Sequence, residues 1–307
     1  MRLLVVGAGA TGGYFGGRLS EAGRDVTFLV RPGRAAQLKA NGLRIVSPHG
    51  DVTLAPKLVT ADVIEAPFDA ILLTVKAFAL EQALDDVAPA VGPGTMILPV
   101  LNGIKHVDAI TARFGAEAFV GGVCKIASFI DDEGRIRQLN KLHDLAYGEM
   151  SGAASARTER LDAFMRDAGF DARLSPTIER EMWEKWVLLS ALGGVTCLMR
   201  GHIGEIAAAP GGTEFVLALL GEVVETVTAL GHPPSEAVLA NTRKMLTDPS
   251  STQTSSMYRD LQGGGAVEAD QIIGDLIRRA REAGVATPLL AAAYSNLSIY
   301  QARLPAR

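Results

Sequence analysis

Leu3-Leu4-Val5-Val6-Gly7-Ala8-Gly9-Ala10-Thr11-Gly12 is the stretch that decides the fold. The continuous apolar run Leu3–Val6 reads as a strand buried on both faces. It breaks into Gly-x-Gly-x-x-Gly and resumes as a helical pattern carrying Tyr14, Phe15 and Leu19. In such a turn Gly7 permits the tight bend, Gly9 lets a pyrophosphate approach the backbone, and Gly12 lets helix pack on strand. The helix N-terminus then faces the phosphates. Strand before and helix after supply the context that glycine spacing alone lacks. Gly7, Ala8, Gly9, Ala10, Thr11 and Gly12 are therefore the expected cofactor-binding turn.

Asp25–Val30 reads as the next strand. Beyond its end, where a carboxylate would bind a ribose 2′-hydroxyl, stands Arg31, followed by Pro32, Gly33 and Arg34. A guanidinium pairs bidentately with a 2′-phosphate that a carboxylate would repel, so NADP(H) is the expected cofactor. The alternative makes Arg31 and Arg34 solvated loop charges.

The chain has 307 residues, more than one hydrophobic core usually serves, and two domains are expected. A net charge of −4 gives no reason to expect nucleic acid or an anionic membrane as partner. Cys124 and Cys197 are far apart and lack metal-ligand spacing, which points to a reducing compartment and no metal. The N-terminal apolar run is short and its glycines fall at dinucleotide-binding positions, against a secretory signal. No apolar stretch has spanning length, and a cytoplasmic protein is expected.

Strand and helix patterns alternate through the first half. Leu43–Val46 and Val52–Leu54 read as a hairpin, Asp69–Val75 and Thr95–Leu98 as buried strands, and Ala118–Val123, Ile126–Ile130 and Ile136–Leu139 as further strands. Alternation of this kind means a doubly wound parallel sheet. From about Ser175 the patterns are helical throughout: Glu179–Leu192, Glu214–Leu230, Ser235–Met245, Ala266–Ala283 and Leu289–Ala302. The expected fold is thus α/β, a Rossmann-type domain over residues 1–172 and an all-helical domain over 173–307. The helical domain carries enough apolar surface for a homodimer, although no heptad pattern specifies one.

Ligands of open α/β sheets bind beyond the carboxyl ends of the strands. Lys76 and Asn102 sit at two such ends, although Asn102-Gly103 could equally be a simple turn. In Met182-Trp183-Glu184-Lys185-Trp186, a lysine between tryptophans is partly desolvated, which suits it to release a proton; the alternative is a lysine that snorkels to solvent. Ser255 and Ser256 could cap a helix, Asp260 could make a helical ion pair, and Glu268 follows a triple glycine that could aim it. His106, His143 and His202 have no partner identifiable in the sequence and read as loop or surface residues.

This ordered set resembles the ketopantoate reductase family, the NADPH-dependent 2-dehydropantoate 2-reductases, over essentially the whole chain. The matching residues run from Gly7–Gly12 through Arg31, Val75-Lys76, Leu101-Asn102-Gly103 and Met182-Trp183-x-Lys185 to Thr254-Ser255-Ser256-Met257-x-x-Asp260 and Glu268. The resemblance implies a helical domain like that of 6-phosphogluconate dehydrogenase and a 2-oxo acid substrate. By position, it implies that Lys185 is the general acid and that Glu268 helps position substrate and that lysine. Asn102 and Lys76 would line the junction of nicotinamide and substrate, and Ser256 would contact the substrate.

One departure bears on the substrate. Where family members typically carry asparagines four and eight residues after the lysine, this chain has Leu189 and Gly193. A lost donor matters because recognition of a hydroxyl is where sites discriminate most strongly. The expected function is therefore reduction of ketopantoate, in pantothenate biosynthesis, or of a related 2-oxo acid. Oxidation of a 2-hydroxy acid and a non-catalytic NADP(H)-binding regulator are the alternatives.

Overall fold

The structure, a computed structural model, describes residues 1–305. These cluster into two compact units, one formed by Met1–Leu101 with His106–Glu179, the other by Asn102–Lys105 with the chain from Arg180 onward. The end of the expected second domain, residues 306–307, lies outside the described residues.

The first unit runs β1 (Arg2–Val6), α1 (Ala10–Glu21), β2 (Asp25–Leu29), α2 (Pro32–Asn41), β3 (Leu43–Val46), β4 (Val52–Leu54), β5 (Lys57–Val59), β6 (Ala70–Leu73), α3 (Leu80–Val87), β7 (Met96–Pro99), α4 (Lys105–Phe114), β8 (Gly121–Ile130), β9 (Ile136–Gly148), α5 (Ala156–Met165) and β10 (Asp171–Leu174). A parallel sheet has the order β5-β2-β1-β6-β7. Leu3–Val6 pair with Val26–Leu29 on one side and Ala70–Leu73 on the other, and all are buried but the half-buried Thr27. That explains why β1 and β6 read as unbroken apolar runs rather than as alternation. The strand order reverses at β1/β6, where such sheets open a ligand crevice.

A second, mixed sheet runs β10-β9-β3-β4, with β8 antiparallel along β9. It corrects several expected boundaries. Ala118–Val123 and Ile126–Ile130 are not two strands: β8 is continuous from Gly121, with a register irregularity between Ile126 and Ser128. β9 runs on to Gly148, well past Leu139, because Asp144–Tyr147 find partners on both β8 and β10. β10 lies where the interdomain boundary was expected, and its pairing with β9 carries the first unit on to Glu179.

Helix α1 lies between the two sheets, and its glycines make this possible. A Cβ on Gly16 would stand 2.7 Å from the Phe28 ring and 2.9 Å from Val5, both on the parallel sheet. A Cβ on Gly13 would stand 2.3 Å from Ile136, and one on Gly17 2.7 Å from Ile45, both on the second sheet. Residues four apart share a helix face, so Gly12/Gly16 and Gly13/Gly17 form two flat strips facing two sheets. Phe15 packs edge-on against Phe170 at 5.0 Å, and the Tyr14 hydroxyl meets His143 Nδ1 at 2.8 Å.

Two of the three histidines, His106 and His143, are buried rather than loop or surface residues, while His202 does lie in a partly exposed loop position. His143 is buried on β9, and its ring stacks on that of His49 at 3.7 Å. His106 is buried on α4, where the first turn of the helix turns it inward. His202 caps a helix of the second unit, accepting from the Glu205 amide while the Glu205 carboxylate accepts from the His202 amide.

The second unit is helical: α6 (Ile178–Met199, entering from the first unit), α7 (Ile203–Ala208), α8 (Gly212–Ala229), α9 (Glu236–Leu246), α10 (Ser256–Gln262), a π-helical segment Asp270–Gly274, α11 (Asp275–Glu282) and α12 (Pro288–Ala302). α6 passes through Gly193-Gly194 instead of ending at Leu192, because these glycines admit neighbours: Met257 crowds Gly193, and Leu219 lies 3.3 Å from the Cβ position of Gly194. The expected helix Ala266–Ala283 is shorter and contains the π segment. Among the described residues, no helix is long and apolar enough to cross a membrane.

Two stability predictions follow from this packing. Gly16→Ala should lower stability by about 1–3 kcal/mol, since Phe28 and Val5 are buried and must shift. Gly221→Ala, exposed inside α8 with open space around its Cβ position, should raise it by about 0.5–1 kcal/mol. Urea midpoints of the two variants measure both signs.

A third prediction concerns pH. Burial, and then His49, hold the His143 pKa below the ordinary imidazole value of 6.5. The folded state therefore favours neutral His143, while the unfolded chain takes up the proton first. This contribution to stability is complete above about pH 6.5 and is lost as pH falls below it toward the depressed folded value. Thermal melting across this range should show the loss, and His49→Ala should reduce it.

Candidate functional site

The glycine turn bridges β1 and α1 and is held from behind. Gly7 has φ +93°, a conformation that favours glycine. Thr74, just past β6, donates its hydroxyl toward both the Val6 carbonyl (2.8 Å) and the Gly7 carbonyl (3.0 Å). A Cβ on Gly12 would lie 2.2 Å from that hydroxyl oxygen and 2.2 Å from the Gly7 carbonyl oxygen, so only glycine fits. A Cβ on Gly9 would meet nothing within 4 Å. One side of the turn is thus closed by protein and the other is open backbone. Gly9 caps α1 without a side-chain hydrogen bond, which leaves the first amides of the helix, including those of Ala10 and Thr11, as donors at a positive helix end. This cradle fits a dinucleotide pyrophosphate.

Arg31 and Arg34 are not equivalent. Arg31 is exposed and caps α2. Arg34 is half-buried, and its Nε and Nη2 donate to the Ala8 carbonyl at 3.2 and 3.0 Å. Burial pushes the Arg34 guanidinium below its usual pKa. Lys76, exposed, precedes a short 3₁₀ turn, Ala77–Ala79.

Asn102, Lys185, Ser256 and Glu268 all belong to the second unit. Asn102 was expected in the dinucleotide domain, but hydrogen bonds tie its loop to the π-helical segment. Gln271 Nε2 donates to the Asn102 carbonyl at 3.0 Å, and Lys105 Nζ lies 2.5 Å from Asp270. Gly103, at φ +77°, brings its backbone so close that a Cβ would stand 2.6 Å from the Gln271 carbonyl oxygen. The result is that Asn102 Nδ2 donates to the buried Glu268 carboxylate at 3.4 Å. Lys105 is the leading cause holding Asp270 below the usual carboxylate pKa.

Lys185 is half-buried on α6. Its neighbour Trp186 donates its indole N–H to the Ile272 carbonyl at 2.8 Å, and Ser190 donates to the same oxygen at 3.2 Å. These bonds pin α6 to the π segment, the kind of widened turn that recurs at functional sites. Trp183 and Trp186 are buried against each other, and Trp183 stacks on His232 at 4.0 Å. Of the two serines, Ser255 is the cap of α10, accepting from the Tyr258 amide at 2.9 Å and bonding Thr196 at 2.8 Å. Ser256, half-buried at the first position of α10, is left out of that cap. Sequence reading missed Thr74, Gln271 and Ser190; only Gln271, three residues after Glu268, carried a spacing that could have suggested it. Among the described residues no cluster of His, Cys, Asp or Glu could hold a metal ion.

A parallel sheet in this order, with a glycine turn at its reversal and an all-helical unit after it, defines a Rossmann-type two-domain protein. The family model described as "Ketopantoate reductase PanE/ApbA" matches residues 3–152, and "Ketopantoate reductase PanE/ApbA C terminal" matches residues 177–301. The chain belongs to the ketopantoate reductase family of oxidoreductases. It is 37% identical over 302 residues to the "Uncharacterized oxidoreductase YkpB" of Bacillus subtilis (strain 168), covering 98% of this chain and 99% of that one. The crystal structure of 2-dehydropantoate 2-reductase from Geobacter metallireducens GS-15 superposes with a TM-score of 0.86 at 29% identity, covering 97% of this chain and 99% of that one. D-mandelate dehydrogenase, solved with NADH and anilino(oxo)acetate, shares the fold with a TM-score of 0.88 at 22% identity, covering 99% of each chain.

The Asn102–Glu268 contact yields a prediction. Asn102→Asp places a second carboxylate against Glu268 and should destabilise the protein by roughly 1–3 kcal/mol at pH 7. Acidification, which protonates one of the pair, should relieve the loss, and a Glu268→Gln background should cancel it. Urea unfolding of the single and double variants checks the coupling.

Proposed function

We propose that the protein reduces the carbonyl of a 2-oxo acid with NADPH. The observation that carries this reading is the Asn102–Glu268 link in the helical unit that also holds Lys185 and Ser256. The glycine turn would hold the pyrophosphate, and Arg31, exposed where β2 ends, would pair with the 2′-phosphate. Bound there, the reduced nicotinamide supplies a hydride to the substrate C2. Lys185 Nζ gives a proton to the carbonyl oxygen, so the product is the 2-hydroxy acid. Glu268 would orient substrate and lysine, and Asn102, held through its carbonyl by Gln271, and Lys76 are each assigned by the family resemblance to contacts with nicotinamide and substrate. Ser256 donates to the substrate's polar end.

The substrate need not be ketopantoate. At Gly193, a Cβ would stand 2.7 Å from Met257 Cε, so a methyl group fills the space where family members present a polar side chain. Leu189, one turn after Lys185, is apolar and half-buried. Both favour a 2-oxo acid whose side chain is apolar rather than hydroxylated, outside pantothenate biosynthesis. The same two positions are what a non-catalytic NADP(H)-binding regulator would have to rest on. Cys124 and Cys197 are buried and form no disulfide, which suits a reducing cytoplasm. Exposed Met199, Leu217 and Ile299 supply apolar surface for a homodimer.

NADPH consumption with ketopantoate and with apolar branched 2-oxo acids tests the reading, with NADH as the cofactor control. Turnover of the apolar acids and little of ketopantoate is expected. Binding of NADPH without turnover of any 2-oxo acid would favour the regulator. Lys185→Ala should lower turnover on the order of 10²–10⁴-fold while NADPH affinity is kept; unchanged turnover would remove Lys185 from the proton-transfer role.

A further inference from the structure

Arg34 is tied to the backbone of the glycine turn. It stands on α2 rather than in a loop, and its guanidinium reaches back to the glycine turn. Nε and Nη2 both donate to the Ala8 carbonyl, at 3.2 and 3.0 Å. Nη1 donates to Gln37 Oε1 at 2.5 Å and to the Gly134 carbonyl at 3.5 Å, so the guanidinium plane is fixed on a second side. Each of these acceptors is a neutral oxygen.

The consequence lies in the peptide that follows. The Ala8 carbonyl and the Gly9 amide belong to one planar trans unit and point in opposite directions. Fixing that carbonyl toward Arg34 turns the Gly9 N–H away from α2. Thr74 acts in the same way one peptide earlier, since its hold on the Gly7 carbonyl fixes the Ala8 N–H. The next carbonyl, that of Gly9, accepts from Gly13 N at 2.8 Å as α1 begins. The carbonyls of residues 6 to 9 are therefore each engaged by protein, the Gly7 amide donates to the Leu29 carbonyl, and beyond Gly7 the turn offers a ligand amides rather than carbonyls. A released Ala8–Gly9 peptide could flip and present a carbonyl oxygen to a phosphate, which would repel it.

We propose that Arg34 is a positioning residue for pyrophosphate binding, acting through the Ala8–Gly9 peptide and not through the 2′-phosphate. It holds the turn in its anion-binding form and leaves its positive charge behind the turn. The proposal rests on the dinucleotide reading of that turn. Its signature is a loss of affinity common to both dinucleotides, because NADH and NADPH share the pyrophosphate and differ only at the 2′ position.

The test is titration of the full-length protein with NADPH and with NADH, followed by nucleotide fluorescence well below the melting temperature. Arg34→Ala, Arg34→Lys and Arg31→Ala are compared with wild type. Arg34→Ala should weaken both dinucleotides by a similar factor, on the order of tenfold. Arg34→Lys, which keeps the charge but not the fork, should give a smaller loss, again alike for both, and serves if the alanine variant does not fold. Arg31→Ala should weaken NADPH and leave NADH unchanged. A role in fold stability alone would lower the melting temperature and leave these affinities in place, which overturns the proposal. A loss confined to NADPH in either Arg34 variant also overturns it, by assigning Arg34 to the 2′-phosphate. Failure of wild type to bind either dinucleotide would instead defeat the underlying reading of the turn.

Discussion

Close approach of helix α1 to two sheets at once is the constraint on which the first unit depends. A helix with ordinary side chains would stand off both sheets. Here Gly12, Gly13, Gly16 and Gly17 remove the Cβ atoms from both contact strips, and Val5 and Phe28 on one side and Ile45 and Ile136 on the other fill the space. The same approach seats the start of α1 against Thr74 and the Gly7 carbonyl. The flatness of the helix and the shape of the anion cradle are thus one feature. Any displacement of α1 would change both the core and the turn.

The second unit solves a different problem. Its candidate residues come from separate stretches, 102, 185, 256 and 268, and a helical bundle does not by itself aim them. A widened helical turn, Asp270–Gly274, provides the anchor. Trp186 and Ser190 attach α6 to the Ile272 carbonyl, while Gln271 and Asp270 attach the Asn102–Lys105 loop. Glu268 sits immediately before that turn, buried but met by Asn102. A buried carboxylate costs free energy unless it is hydrogen-bonded, so the Asn102 contact offsets part of the cost of burying Glu268.

On α6, Lys185, Leu189 and Gly193 follow one another at four-residue spacing. The face carrying Lys185 continues into Leu189 and Gly193, and Met257 from α10 closes the gap over Gly193. A missing side chain on one helix is filled by a flexible one from the next, as methionine does readily. The two helices therefore pack closely at Gly193, and at Leu189 and Gly193 this face of α6 is apolar.

The sequence alone determined the parallel sheet, the glycine turn, the helical second half and the identity of the polar candidates. Each is written in local periodicity or in residues that need particular backbone geometry: Gly7 at positive φ, the unbroken apolar runs of β1 and β6, the helical spacing around Lys185. Only the tertiary structure decided the second sheet, in which β9 and β10 pair across an intervening helix, because weakly patterned strands are fixed by partners far along the chain. It alone assigned the Asn102 loop to the second unit, separated Ser255 as a cap from Ser256, and placed Arg34 on α2 with its guanidinium donating to the Ala8 carbonyl. These are hydrogen bonds between residues distant in sequence, and spacing along one chain does not encode which donor reaches which acceptor.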